Sequence, residues 1–244
     1  MGKYIELVRQ RPFYFGISLL MVAIAIAGFG PVSYTELINN QLPQYAVVHL
    51  HALIFVGWLL FFATQAFLAS SKQMRFHARF GRFLSIYAIV VVLSGLAVAF
   101  NRYIYMARRG EVSGAWFLTY FATFDMLAFG VFFLISLFLV RWPEAHKRMM
   151  VVTCTILLYP AVTRLEKVVP IISHPQVHGL KIPFMIIWML PVIVGLMHDL
   201  IYRRRLHPAN VFGIASLFLL SERGILLNTD VVAKIGDFFQ RVLI

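Results

Sequence analysis

The sequence predicts an all-α integral membrane helical bundle, with about seven transmembrane helices plus a C-terminal amphipathic helix. Of its 244 residues, 61% are hydrophobic and 13% are charged, whereas about 25% are charged in an ordinary soluble domain. The mean hydropathy is +0.81. Seven segments approach the roughly 20 apolar residues that cross a hydrocarbon core of about 30 Å. These observations exclude a water-soluble globule. The single cysteine, Cys154, excludes a disulfide scaffold.

The predicted spans follow one another along a single bundle of residues 1–228. They lie at about 13–30, 46–69, 83–100, 115–140, 149–163, 182–201 and 209–220. The fifth and seventh are short, so we expect each to continue past the charge that bounds it. The apolar run after Pro12 is too long for a signal-peptide core and lacks a cleavage site, which predicts a retained anchor. Over residues 229–244 apolar residues recur at helical spacing, which predicts a helix lying in the membrane interface.

The charge pattern predicts an orientation. Lys and Arg number 22 against 10 acidic residues, for a net charge of +12. Thirteen of the 22 fall in the N-terminal tail and in alternate connections, so the positive-inside rule places the N terminus in the cytoplasm. We expect no Lys or Arg in the core of a span. The excess charge therefore indicates the lipid bilayer as a partner and not nucleic acid.

Two charged residues are candidate catalytic groups. Asp125 lies about ten residues into span four, near mid-depth at a rise of about 1.5 Å per residue, and is either a proton-relay or counter-ion group or a helix-packing residue. Arg164 lies at the outer end of span five, where it pairs with a carboxylate, binds a propionate or phosphate, or extends to the interface. Asp199, at the inner end of span six, caps the helix or orients His198.

The eight histidines fall into two sets on opposite faces of the predicted bundle. Imidazole is the usual protein ligand for haem iron and for zinc or copper. Two sets on opposite faces are what a two-centre redox conduit needs, although each histidine could instead make an interface hydrogen bond. The outer set is His49, His51, His174 and His178, and the inner set is His77, His146, His198 and His207.

Helical spacing selects among these histidines. His51 shares a face with Phe55, Trp58, Phe62 and Gln65, a stripe that could line a flat cofactor or simply pack. Small residues follow His77 on its face and would let a helix or a macrocycle approach the backbone. The candidate haem ligands are His51, His77, His146 and His198.

A second candidate site lies in the outer loop. His174 and His178 are four residues apart and would share a face if the loop formed a helical turn. Together with His49 and His51 they could hold zinc or copper.

Two blocks of sequence resemble a known family. The stretch from His51 to Gly95, with Gln65 and with His77-Ala-Arg-Phe-Gly-Arg, resembles an uncharacterised family of bacterial multi-pass membrane proteins that carry a His-Arg-x-x-Gly-Arg loop. The later block His146-Lys-Arg-Met-Met is similar to the second loop motif of that family. The resemblance implies a bacterial cytoplasmic (inner) membrane protein.

The histidines that open neighbouring helices are more loosely similar to the cytochrome b561 and ferric-reductase group. That similarity implies a b-type haem held between histidines and electron transfer to or from a quinone or metal substrate. We would test His51 and His77 first, with a second ligand from His146 or His198 inside, or from the loop pair outside.

Two alternatives to this redox hypothesis stay open. One is a transporter or assembly factor with an outer zinc or copper site, in which Asp125 and Arg164 serve the translocation path. The other is a structural membrane subunit without a cofactor.

Overall fold

The protein is helical along almost all of the part that a computed structural model describes, which is residues 2–40, 46–169, 176–177 and 180–243. Within these ranges there are nine α-helices and one antiparallel pair of two-residue strands, β1 (Gln176–Val177) and β2 (Leu180–Lys181). The helices are α1 (Gly2–Ile38), α2 (Ala46–Ser70), α3 (Met74–Ala107), α4 (Val112–Phe138), α5 (Pro143–Ile156), α6 (Tyr159–Val168), α7 (Ile182–His198), α8 (Pro208–Ser221) and α9 (Asp230–Leu243).

Six of the described helices are long and apolar enough to cross a membrane, and a seventh span is broken. The broken span consists of α5 and α6, which meet at a bend of 45°. The length and composition of these helices make the chain an integral membrane protein and confirm the predicted all-α bundle. Its orientation, the kind of membrane and the division into 1–228 and 229–244 stay predictions.

The two short spans do continue past their charges. The fifth begins at Pro143, before Arg148, and the seventh runs from Pro208 through a 3₁₀ segment (Glu222–Asn228) to Leu227. The predicted boundaries fell at charged residues, Arg148 before the fifth span and Glu222-Arg223 after the seventh, because a hydropathy pattern treats any charge as an end. The structure shows that both arginines are buried and paired with carboxylates.

Helix α5 lies at the centre of the bundle. It contacts α4, α7, α8 and α1, and every residue from Val151 to Ile156 is buried. Consecutive spans are antiparallel, so α1, α3, α5 and α8 begin at the same end of the bundle, where α2, α4 and α7 finish. We call this end the N-side.

The bend in the fifth span has a local cause. Pro160 has no N–H, so the carbonyl of Ile156 loses its helical donor and the helix breaks at Leu157 and Leu158. The Trp188 indole N–H donates to the carbonyl of Thr155 over 2.8 Å. A neighbouring helix thus satisfies a main-chain group at the break, as hydrocarbon surroundings require.

Helix α1 packs on α6 just beyond this break, and the contact depends on a glycine. A Cβ built on Gly28 would overlap the main-chain carbonyl of Ala161. We expect Gly28→Ala to lower the free energy of unfolding by about 1–3 kcal/mol, because main chain cannot move aside as a flexible side chain can. Thermal unfolding of the detergent-purified protein measures the loss. Gly16→Ala is the matched control, since nothing lies within 4 Å of its Cβ; equal melting temperatures for the two variants would contradict the prediction.

The C-terminal helix was predicted from the apolar periodicity of residues 229–244, and α9 occupies Asp230–Leu243. Gly236 on α9 faces the ring of Trp116 on α4, with a Cβ position 3.0 Å from the ring atom Cε2. Helix α9 is therefore in contact with the bundle. Its location in a membrane interface stays a prediction.

Candidate functional site

A cavity of about 390 Å³ opens among α1 to α5 at the N-side. This volume lies within the roughly 300–1,000 Å³ of small-molecule sites. Its wall is mostly aromatic and aliphatic, but it also contains two imidazoles and the charged residues Lys72, Glu144 and Lys147. The lining includes Tyr14, Trp58, Phe62, Gln65, His77, Phe133 and His146.

The imidazole of His77 is fixed by α2. Its Nδ1 lies 3.2 Å from the main-chain oxygen of Gln65, and the Gln65 side-chain Nε2 donates to the carbonyl of His77 over 3.2 Å. A carbonyl oxygen can only accept a hydrogen bond, so Nδ1 carries the proton. Nε2 of His77 is therefore left with a free lone pair.

The imidazole of His146 is fixed in the same way by α4. Its Nδ1 donates to the carbonyl of Ser136 over 2.7 Å. Ser136 lies in the last turn of α4, where main-chain carbonyls lack helical donors. The Ser136 hydroxyl lies 2.9 Å from the sulfur of Met150, another residue of the cavity wall.

The two histidines line the same cavity, one from α3 and one from α5. Within the described residues neither Nε2 accepts or donates a hydrogen bond. A histidine ligand of a metal usually donates its other ring N–H to a carbonyl or carboxylate, which fixes the ring and raises its basicity. His77 and His146 both have this arrangement.

Two further polar atoms of the wall residues have no hydrogen-bond partner among the described residues. They are the Tyr14 hydroxyl and the Gln65 side-chain oxygen. A buried polar group without a partner costs about 1–3 kcal/mol. A bound molecule with polar atoms could supply the missing partners.

The structure places the predicted ligand His51 away from this cavity. Its Nδ1 lies 3.3 Å from the Ser94 hydroxyl, and its ring centroid lies 4.1 Å from that of Phe55, at the end of the bundle opposite the N-side. Arg164 is in the same region: its Nη1 donates to the carbonyl of Pro160 over 3.0 Å, and its guanidinium lies 4.6 Å from the centre of the Phe29 ring. The structure thus brings His77 together with His146 and not with His51.

The predicted outer metal site is described only in part. His49 is exposed on α2, and His174 and His178 lie outside the described residues. Within the described ranges no three His, Cys, Asp or Glu residues are grouped so that they could hold a metal ion.

The two other inner histidines have different surroundings. The His198 ring stacks on Phe13, with centroids 3.8 Å apart, and lies 4.8 Å from Tyr202; it is not part of the cavity wall. His207 accepts the N–H of Ala209 at Nδ1 over 3.2 Å and so caps α8. Burial, with the nearby Arg148 charge, lowers the pKa of His207 below its ordinary value. The neutral ring that this favours is the form that can cap a helix.

A buried ion pair at the N-side joins α5 to the π-helical turn that follows α7. Arg148 Nε donates to Asp199 Oδ2 over 2.9 Å, Nη2 contacts Oδ1, and Asn210 Nδ2 donates to Oδ2 over 2.8 Å. The Arg148 and Asp199 side chains are 1% and 0% exposed. The expectation that no Lys or Arg lies in the core of a span is therefore wrong for Arg148. Asp199 was predicted to cap the helix or to orient His198. Its main partner in the structure is instead Arg148.

Glu144 extends this ion pair into a network that reaches the cavity wall. Its carboxylate is 2.6 Å from Lys147 Nζ, 2.9 Å from Arg148 Nη1 and 2.6 Å from Arg203 Nη1. The segment Asp199–Arg203 is one π-helical turn. The wide turn lets both of its end residues face α5, and such turns are frequent at functional sites.

The buried carboxylate of span four also has a partner that the sequence did not indicate. Asp125 Oδ1 lies 2.8 Å from Arg223 Nη2, and both side chains are at most 6% exposed. The Arg223 guanidinium lies 4.6 Å from the ring centres of Phe121 and Tyr159. The main-chain carbonyl of Arg223 accepts a hydrogen bond from the Tyr120 hydroxyl over 2.8 Å. Asp125 thus pairs with Arg223 and not with Arg164. Arg223 is a second exception to the expectation of charge-free span cores.

Comparisons with protein-family models, with curated proteins and with solved structures find no match. The resemblances noted in the sequence stay predictions.

Proposed function

We propose that this protein is a membrane electron carrier that binds one b-type haem in the N-side cavity, where His77 and His146 would hold the iron. The observation that carries the proposal is the matched pair of imidazoles. Each ring donates its Nδ1–H to a main-chain carbonyl, each residue lines the same cavity, and neither Nε2 has a hydrogen-bond partner among the described residues. Haem iron is commonly held by histidine, and second-sphere hydrogen bonds of this kind tune the metal.

The wall of the cavity fits the group. Trp58, Phe62 and Phe133 supply flat apolar surface, and all three are buried. Lys72 also lines the cavity and would offset part of the carboxylate charge that a haem carries, whereas Lys147 in the same wall is paired with Glu144. The bound haem would supply one-electron exchange with a redox partner, a quinone or a metal substrate.

The chain's own residues hold the site in place. The main-chain oxygens of Gln65 and Ser136 keep both rings in the tautomer that exposes Nε2. The apolar part of the wall lowers the local dielectric constant, which strengthens electrostatic interactions in the cavity. The Gln65 side chain also ties α2 to the first turn of α3, so the His77 main chain is held as well as its ring.

The absorption spectrum of the protein, purified from cells with adequate haem supply, tests the proposal. We expect a Soret band and a reduced-minus-oxidised difference spectrum in the wild type. His77→Ala and His146→Ala should each lose the haem or convert it to a high-spin form. His51→Ala and His49→Ala are the controls and should keep the wild-type spectrum. A wild type without a Soret band would refute the proposal, and loss of haem in His51→Ala with retention in His146→Ala would refute the pairing.

A quinone is a second candidate occupant of the same cavity. The specific observation is a pair of polar atoms without a partner among the described residues, a donor on Tyr14 and an acceptor on Gln65, beside the two imidazoles. A quinol could donate to the imidazoles, and a quinone could accept from the phenol. Co-purified quinone without a Soret band would favour this occupant. Bound zinc or copper without haem would favour the transporter or assembly factor.

A further inference from the structure

We propose that the first turns of α3 bind the headgroup of an anionic phospholipid through Arg75, Arg79 and Arg82. This site is separate from the cavity and does not depend on what the cavity holds. It is formed by one face of a single helix, which continues from a lipid-facing apolar surface into a row of guanidinium groups.

The three arginines lie on the same face of α3. They are spaced i, i+4 and i+7, which at about 100° per residue places them within roughly 60° of one another. All three are exposed, and within the described residues none of them forms an ion pair or a side-chain hydrogen bond. Three guanidinium groups that have no carboxylate partner among the described residues therefore project from about two turns of helix.

The same face is apolar further along the helix. Ile86, Ile89 and Leu93 continue the spacing and are 65%, 59% and 60% exposed. Within a transmembrane helix, exposed apolar side chains of this kind contact lipid acyl chains. Toward the N-side, this face therefore changes from apolar side chains to guanidinium groups. A phospholipid changes in the same direction, from its apolar acyl chains to its charged headgroup.

The length of α3 places the arginines at headgroup depth. The helix has 34 residues, or about 51 Å at 1.5 Å per residue, and a hydrocarbon core is roughly 30 Å thick. Its ends must extend beyond the core. Residues 46–110 contain no Asp or Glu. Neither α2 nor α3 therefore supplies a carboxylate to the three arginines.

A phosphate-bearing headgroup is a better partner for the three arginine side chains than water is. Guanidinium groups bind phosphate through two parallel hydrogen bonds. Each basic side chain at an anionic membrane surface contributes about 1 kcal/mol. Three of them should give a preference of about 100-fold for an anionic over a zwitterionic lipid of equal chain length.

Native mass spectrometry of the full chain in detergent tests the site, with equal amounts of phosphatidylglycerol and phosphatidylcholine that carry the same acyl chains. We expect the wild type to retain phosphatidylglycerol selectively and Arg75→Gln/Arg79→Gln/Arg82→Gln to lose about 100-fold of that selectivity. The matched control is Arg141→Gln/Arg204→Gln/Arg205→Gln, which removes the same charge from exposed residues of the N-side. It should keep the wild-type selectivity.

Three outcomes would overturn the proposal: equal retention of the two lipids by the wild type, equal losses in the two triple variants, or full competition by water-soluble glycerophosphoglycerol. The last would show that the apolar face contributes nothing. If the triple variant does not fold, Arg79→Gln alone carries the test, with an expected loss of about fivefold from about 1 kcal/mol; an unchanged selectivity would then refute the site.

Discussion

Asp199→Asn is expected to lower the free energy of unfolding by about 3–5 kcal/mol, because it leaves the Arg148 guanidinium buried without its carboxylate. Asp199 accepts from Nε of Arg148 and from Asn210, and it is fully buried. Glu144 contacts only Nη1 of the arginine, so it cannot replace the lost contacts at Nε and Nη2. Chemical unfolding in detergent, followed by tryptophan fluorescence, measures the loss.

Removing both charges should not restore stability at this site. In Arg148→Met/Asp199→Leu the Asn210 amide loses its acceptor, which costs about 1–3 kcal/mol when buried, and Glu144 loses one of its three cations. The control is Lys147→Met, whose partly exposed pair with Glu144 should contribute at most about 1 kcal/mol. Wild-type stability in Asp199→Asn, or in the double variant, would contradict the network as described.

Hydropathy predicted the spans because a chain in hydrocarbon must satisfy its main-chain hydrogen bonds within helices. That requirement acts on local composition, which a sequence displays directly. The order of the spans also predicted that α3 and α5 begin on the same side of the membrane. His77 and His146 were therefore expected at the same membrane face. The order of the spans did not predict that they share a cavity, because lateral packing depends on contacts between helices distant in sequence.

The buried arginines show the same limit. Arg148 and Asp199 are 51 residues apart, and Arg223 is 98 residues from Asp125. No periodicity links such pairs. One signal was available: a lone carboxylate at mid-span needs a cation or a proton, and an arginine within the continuation of a short span is a natural source. His51 shared a helical stripe with cavity residues, yet seven residues of helix, about 10 Å, separate it from Trp58.

Asp125→Asn is expected to destabilise the protein by about 3–5 kcal/mol, because the Arg223 charge would remain between two aromatic rings in the interior of the bundle. Unlike the network around Asp199, this pair is isolated: within the described residues Asp125 has Arg223 as its one ion-pair partner. The double variant Asp125→Leu/Arg223→Met should therefore recover most of the loss, since neutral side chains of similar volume replace both charges. Thermal and chemical unfolding of the three proteins measure the recovery.

The double variant also separates the two interpretations of Asp125. If the carboxylate packs α4 against the end of the seventh span, Asp125→Leu/Arg223→Met should fold and keep the absorption spectrum of the proposed haem, because neither residue lines the N-side cavity. If Asp125 is a proton-relay or counter-ion group, the double variant should fold and still lose the pH response of the proposed electron transfer. Asp237→Asn, on the exposed face of α9, is the control and should change stability by no more than about 0.5 kcal/mol. A double variant no more stable than Asp125→Asn would contradict the prediction. It would show that Asp125 and Arg223 stabilise the protein by contacts other than their mutual ion pair.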